Sequence, residues 1–528
     1  MGSGLALGAG ASVSPSFAAN LFDSRITGHP VVRTTSGRIR GFRRGRIDTF
    51  LGVPYAAPPT GDLRFLPPQS ARPWSDVLDT LAFGPGAPFM PPSFQPVGKS
   101  QFGPQDRFLL YRDWTPHTQS EDCLRLNLWA PAGRRGLPVM VYMHGGGLSG
   151  GSGNDLLAYD GHNLAERGDV ITVTHNHRLN IFGFLDLSSF GGRWSESSNL
   201  GLLDIVEVLR WIRNNIEAFG GDPGNVTVFG QSGGGRKVSA LMAMPAAKGL
   251  LHRGIVQSGS PGVVAPHTPD SAREEALTVL SRIGIGKGEL DKLPGMTAEQ
   301  IAQGNVAMGL TWKMTAGVPN LPIIPGEASA AAQSVPLMVG TCLNESVHGV
   351  DNPIAATYSE ADLVRDTEAK FGSAGREVAA AYRRFHASRS AFETHGAIEA
   401  VATREAALSQ AAANHAVTGK AWSYIFAWRT PVLGGSIGSF HSADIAFAFN
   451  NATLCVNQTG GGEDAVGLAQ RMSDAWVAFA RHGNPSHPGL PAWPSVGSSE
   501  NTMIFDTHCK VMAHPERDGR ALVARAST

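Results

Sequence analysis

Apolar and polar residues alternate along residues 31–53 with the two-residue period of an antiparallel meander that has one buried face. Beyond that segment the pattern changes. Short, nearly continuous apolar runs at residues 139–143, 226–229, 335–340 and 423–428 are separated by longer stretches with helical periodicity. Runs of that kind read as strands buried on both faces, and their alternation with helices builds a mainly parallel sheet. One helix is especially clear. Leu202, Ile205, Val206, Leu209 and Ile212 share a face while Asp204, Glu207, Arg210 and Arg213 mark the other, so residues 202–216 are predicted to lie against the sheet. Residues 360–419 read as several helices. Leu468, Met472, Ala475, Trp476 and Phe479 stripe another, which Gly483 and Pro485 end. These stripes read as ordinary core, and no internal repeat or extended low-complexity linker interrupts them.

Composition narrows the class of protein. Hydrophobic residues make up 42% and charged residues 17% of 528, enough to fill one substantial core. No stretch approaches the roughly 20 continuous apolar residues of a membrane span. The 44 basic and 44 acidic residues balance, and no Lys/Arg run offers a footprint for nucleic acid or anionic lipid. A small or medium organic molecule is the expected partner; the residues say nothing of oligomeric state.

The chemistry begins after the run at 226–229, which feeds into Gly230-Gln231-Ser232-Gly233-Gly234-Gly235 and then an amphipathic segment at 238–244. Strand, sharp turn and helix in that order lift a serine hydroxyl above the sheet edge, and flanking glycines give it room. Gly-x-Ser-x-Gly alone is weak, because 64 of the 528 residues are glycine and the pattern recurs at Ser149 and Ser436. Neither of those has a strand before and a helix after, so Ser232 is the candidate nucleophile. The run at 139–143 ends in His144-Gly145-Gly146-Gly147, a loop nearly free of side chains whose amides can converge on one point. Gly146, Gly147 and the amide of Gly233 are the candidate oxyanion donors, each typically worth about 2.7–4 kcal/mol of barrier. His144 is expected to hydrogen-bond within its own loop.

If the chain order Ser, acid, His applies, the base comes late. His441 lies in a loop of small residues after the strand at 423–428, and it is the candidate base. Glu345 follows the strand at 335–340 and is the candidate orienting acid, holding the imidazole tautomer and stabilising the imidazolium. Ser258 and Ser260, at the end of the next strand after Ser232, are candidates for a hydrogen bond within the triad. This acyl transfer calls for no cofactor and no metal. Because the candidate site draws on residues from 144 to 441, that interval must fold around one sheet, although length alone suggests about three domains.

Phe50-Leu51-Gly52-Val53-Pro54-Tyr55-Ala56, Leu63-Arg64-Phe65, Glu121-Asp122-Cys123-Leu124-Arg125-Leu126-Asn127, Asn176-His177-Arg178-Leu179, Ala218-Phe219-Gly220-Gly221-Asp222-Pro223 and Gly483-Asn484-Pro485 stand in this order along the chain. With the serine and glycine motifs they make the chain resemble the type-B carboxylesterases, the α/β-hydrolase branch that includes bacterial para-nitrobenzyl esterases and, more distantly, cholinesterases. The resemblance implies an α/β-hydrolase fold: a large, central, mostly parallel sheet with helices on both faces and an N-terminal antiparallel meander. It also places Ser232, Glu345 and His441 on the family triad and Gly146, Gly147 and Gly233 on its oxyanion hole. Residues 29–528 are then one domain. The implied reaction is hydrolysis of small to medium carboxylic esters through an acyl-enzyme, with amides, carbamates or a specialised ester such as a toxin or polyester fragment as the alternative. A non-catalytic, cholinesterase-like binding module is the alternative from another class; such relatives usually lack the serine or its partners.

Three departures from the family pattern stand out. Gln231 replaces the usual Glu and Gly233 the usual Ala; neither is expected to touch the chemistry, since the donor at 233 is main chain. Cys123 lacks the upstream cysteine with which it pairs in relatives, so the loop there is expected to close by packing. Cys342, Cys455 and Cys509 show no spacing that pairs them. Two regions are expected to shape the substrate gorge: the aromatic insertion at 89–117, with Trp114 in a packing role rather than as a choline site, and the segment 264–325. Residues 1–28 read as a flexible tail or the remnant of an export signal. The weakly apolar stretch 5–13 and small residues at 16–19 favour export, the lack of Lys or Arg before Arg25 leaving a cytoplasmic location as the alternative.

Overall fold

A computed structural model describes residues 25–88, 118–307, 312–325, 334–345 and 354–526. Its strands are β1 (Ile26–Gly28), β2 (Val31–Arg33), β3 (Arg38–Arg40), β4 (Phe42–Arg44), β5 (Ile47–Pro54), β6 (Val77–Asp79), β7 (Arg125–Pro131), β8 (Leu137–Met143), β9 (Ile171–His175), β10 (Gly221–Gln231), β11 (Arg253–Gln257), β12 (Leu337–Cys342), β13 (Ala421–Phe426), β14 (Thr502–Phe505) and β15 (Lys510–Met512). Twelve of them form one sheet in the order β1-β4-β5-β7-β9-β8-β10-β11-β12-β13-β14-β15. From β9 through β14 every neighbour runs parallel. The strands before β9 and the last strand, β15, pair antiparallel.

The antiparallel meander is present but divided. β4 and β5 join the large sheet, whereas β2 and β3 pair with β6 in a sheet of three strands. Gly41 sits at the division: a Cβ there would lie 2.2 Å from the Thr49 carbonyl oxygen, so only glycine lets the chain step from one sheet to the other.

Alternate residues of the central strands feed two cores. Val139, Val141, Val226 and Val228 pack with Leu202, Ile205, Val206, Leu209 and Ile212 of the helix Leu200–Asn215. Met140, Tyr142 and Phe229 pack on the other face with Leu468, Met472, Trp476 and Phe479 of the helix Glu463–His482. This two-residue alternation puts helices on both faces of the sheet. Gly483, at φ 68°, ends the second helix in the left-handed conformation and donates to Phe479 O at 2.8 Å. Residues 360–419 form the helices Glu360–Phe371, Gly375–Phe385, Ala391–Glu399 and Val401–Thr418, the first and third opened by capping boxes on Ser359 and Ser390. Among the described residues no helix is long and apolar enough to cross a membrane.

Asp204 corrects the reading of its helix. It is fully buried rather than solvated, and both its oxygens engage Arg178, with Nη2 to Oδ1 at 2.6 Å and Nε to Oδ2 at 2.9 Å. Arg64 makes a similar buried pair with Glu121, at 2.6 and 2.7 Å, and also donates to the carbonyl of Leu293 at 2.8 Å. All four cysteines are free thiols. The loop before Cys123 packs on the core through Ala87 and is also closed by backbone bonds: Gly86 N donates to Thr118 O and Ser120 N to Gly86 O, both at 2.9 Å. Asn176 adds a bond to Pro85 O at 2.8 Å. The N-terminal stretch 1–24 and the aromatic insertion 89–117, with Trp114, lie outside the described residues.

Candidate active site

Strands β10, β11 and β12 run parallel and end together at Gln231, Gln257 and Cys342, so the loops that follow them meet above one edge of the sheet. Binding sites of open parallel sheets form at such carboxyl ends. Ser232 follows β10 at φ 57° and ψ −122°, a backbone conformation that costs a non-glycine residue about 1–3 kcal/mol. Its amide donates to Gln257 O at 2.8 Å, and its carbonyl accepts from Arg236 N at 3.1 Å, which starts the helix Gly233–Ala243.

Glycines around Ser232 permit close backbone approach. A Cβ on Gly233 would lie 2.1 Å from Gly147 O, and one on Gly234 would lie 1.9 Å from Met143 O. The main chain of the 145–147 loop therefore fills the space that an alanine methyl at 233 would need. Gly146 and Gly147 adopt φ 83° and 64°, and their amides have no partner among the described residues. His144 turns its Nδ1 to Gly145 O at 2.9 Å within its own loop.

Glu345 and His441 come together from loops that a single asparagine ties. Asn344 N donates to Ser439 O at 3.0 Å, and the Asn344 side chain accepts from Ser439 N at 3.1 Å. Glu345 Oε2 accepts from His441 Nδ1. Its Oε1 accepts from Ser258 Oγ at 2.6 Å and from Cys342 N at 2.8 Å. Burial pushes the Glu345 carboxyl up, but the His441 ring and the bonds from His441, Ser258 and the Cys342 amide outweigh it and hold the group below its usual range.

Gln231 departs from expectation. Its amide Nε2 lies 3.0 Å from His441 Nε2, so this side chain touches the ring directly. In the tautomer that gives Nδ1–H to Glu345, Nε2 can accept from this amide. Among the described residues Ser232 Oγ makes no hydrogen bond to His441. Of the two candidate serines it is Ser258 that reaches Glu345; Ser260 Oγ is buried without a partner among the described residues.

Asp444, three residues after His441, was not singled out from the sequence. It is fully buried, accepts from Gln257 Nε2 at 2.9 Å and from Tyr424 O–H at 2.8 Å, and burial raises its carboxyl above the usual range. Its spacing from His441 and its setting in an apolar run were the available signals. The rival serines sit in local turns: Ser149 N closes one onto Gly146 O, and Ser436 Oγ donates to Leu433 O.

The chain matches the model of the carboxylesterase family over residues 28–519. It is 35% identical to the para-nitrobenzyl esterase of Bacillus subtilis (strain 168), across 93% of this chain and 98% of that protein. It is 32% identical to the phenmedipham hydrolase of Pseudarthrobacter oxydans, across 90% of this chain and 94% of that one. Among solved structures, an esterase from anaerobic Clostridium hathewayi that can hydrolyze aliphatic aromatic polyesters superposes with a TM-score of 0.81 at 34% identity, covering 95% of this chain and 99% of that one. Family match, near-complete coverage by esterases and shared fold agree: the chain belongs to the carboxylesterase family, enzymes that hydrolyse carboxylic esters.

Proposed function

We propose that Ser232, Glu345 and His441 form the catalytic triad of this carboxylesterase and that residues 29–528 act as one catalytic domain. The observation that supports the reading is the Glu345–His441 pair, whose ring touches Gln231, the residue before Ser232. Ser232 Oγ attacks the ester carbonyl while His441 Nε2, released from Gln231, takes its proton. Glu345 keeps the ring oriented and stabilises the imidazolium, itself fixed by Ser258 and the Cys342 amide. The unoccupied amides of Gly146 and Gly147, with that of Gly233, receive the oxyanion. The proton then passes to the leaving alcohol, and water cleaves the acyl-enzyme by the same path.

Replacing the nucleophile tests this assignment. Ser232→Ala is expected to lower kcat on para-nitrophenyl esters by about four orders of magnitude or more, as for one member of a cooperative triad, with the fold retained by circular dichroism. Turnover within about tenfold of wild type would reject the assignment.

A further inference from the structure

The helix that follows Ser232 borders a partly open cavity of about 190 Å³ whose wall includes Arg236, one helical turn beyond Ser232, and Leu148, adjacent to Gly147. The chain leading to Ser260 presses on the same turn: a Cβ on Gly259 would lie 2.3 Å from Ser232 O and 2.9 Å from Arg236 N. Most of the wall is apolar. Its polar side chains are Arg236, Lys313, Ser260 and Trp312, and among the described residues no carboxylate lines it.

These four groups share one property. Ser260 is 2% exposed and Trp312 3% exposed, yet neither Ser260 Oγ nor Trp312 Nε1 has a hydrogen-bond partner among the described residues. Arg236 and Lys313 form no ion pair among the described residues, and burial lowers the Arg236 guanidinium with no acid to oppose it. Buried donors are ordinarily satisfied, and a half-buried guanidinium ordinarily faces a carboxylate or phosphate. Among the described residues, the two cations on this cavity face no acidic partner.

We propose that this cavity receives a carboxylate carried by the substrate, so that the preferred esters are half-esters of short dicarboxylic acids. This substrate class rests on the assignment of Ser232 as nucleophile. Arg236 stands four residues, or about 6 Å of helix rise, beyond Ser232, so nucleophile and cation are carried by the same helix start. The cavity is smaller than the roughly 300–1,000 Å³ of drug-sized sites, which suits a short acid arm. Hydrolysis consumes one water: its oxygen joins the acyl carbon to give the dicarboxylate, one hydrogen leaves with the alcohol, and one proton is released to solvent.

The test measures kcat/KM on the full-length protein, by titration of released acid, for monomethyl glutarate, dimethyl glutarate and methyl hexanoate. Wild type is expected to favour the half-ester over both neutral esters by about tenfold or more, as for one charge-assisted contact in a desolvated pocket. Arg236→Gln and Lys313→Gln should each shrink that ratio, and Arg236→Lys should keep part of it. A wild-type ratio of one or less, with turnover that Ser232→Ala abolishes, overturns the carboxylate site while sparing the triad. Full preference in both glutamine variants also overturns it. Turnover of all three esters that survives Ser232→Ala rejects the nucleophile itself and the subsite with it.

Discussion

Gln231 shows how much one side chain beside a catalytic ring can matter. Its amide lies against the imidazole nitrogen that must receive the serine proton, so the ring is contacted at both nitrogens, by Gln231 and by Glu345. A carboxylate in its place would accept from Nε2–H and favour the charged ring. Gln231→Glu is therefore expected to move the acid limb of the kcat/KM pH profile upward by about one unit, because base-competent neutral imidazole then persists only at higher pH. An unmoved limb would show that the amide does not govern the ring. The serine, acid and base positions were readable because each follows a core strand. Gln231 was not, because its role lies in a side-chain direction that a strand-to-turn junction alone decides. Ser258 and Ser260 illustrate the same limit. Two residues apart on a strand they would point the same way, but Ser258 adopts φ 50°, and the chain turns so that one hydroxyl reaches Glu345 and the other is buried without a partner among the described residues.

The helix Gly233–Ala243 was readable in its existence but not in its start. Propensity places its beginning after the glycines, near Val238, since glycine costs about 1 kcal/mol in a helix. Contacts override that preference: Gly233 and Gly234 meet the backbone of Gly147 and Met143, and a Cβ on Gly235 would lie 2.9 Å from Gly259 Cα. The same helix buries Lys237 completely, where it donates to His144 O at 3.1 Å. Burial lowers this ammonium to about 7 from its usual 10.5. Between those values the unfolded chain binds more protons than the folded one, so this residue makes stability rise with pH across that window. In urea unfolding at successive pH values, wild type is expected to gain on Lys237→Met from pH 7 to 10, by at most about 1.4 kcal/mol per unit. A difference independent of pH would contradict the buried, neutral lysine. Asp204 misled for the opposite reason: its polar type suggested a solvated face, and only the tertiary position of Arg178 makes its burial affordable.

Across the molecule, one sheet order brings residues distant in sequence to one place, and alternation of apolar runs with helical stripes was enough to foresee that sheet. What patterning could not foresee was how the pieces lock. Arg64 joins Glu121 to the Leu293 carbonyl, and Asn344 joins the Glu345 and His441 loops; each lock is a hydrogen bond between segments whose separation no local rule encodes. The division of the meander between two sheets likewise depends on Gly41 meeting a strand that pairs later. Convergence of Ser232, Glu345 and His441 is the consequence on which the proposed chemistry depends. Treating the full-length protein with an organophosphate that traps activated serines, then mapping the adduct by peptide mass spectrometry, tests it. The expected result is one adduct, on Ser232, formed in step with loss of ester turnover; an adduct on Ser149 or Ser436 instead, or turnover that persists with Ser232 fully modified, would contradict it.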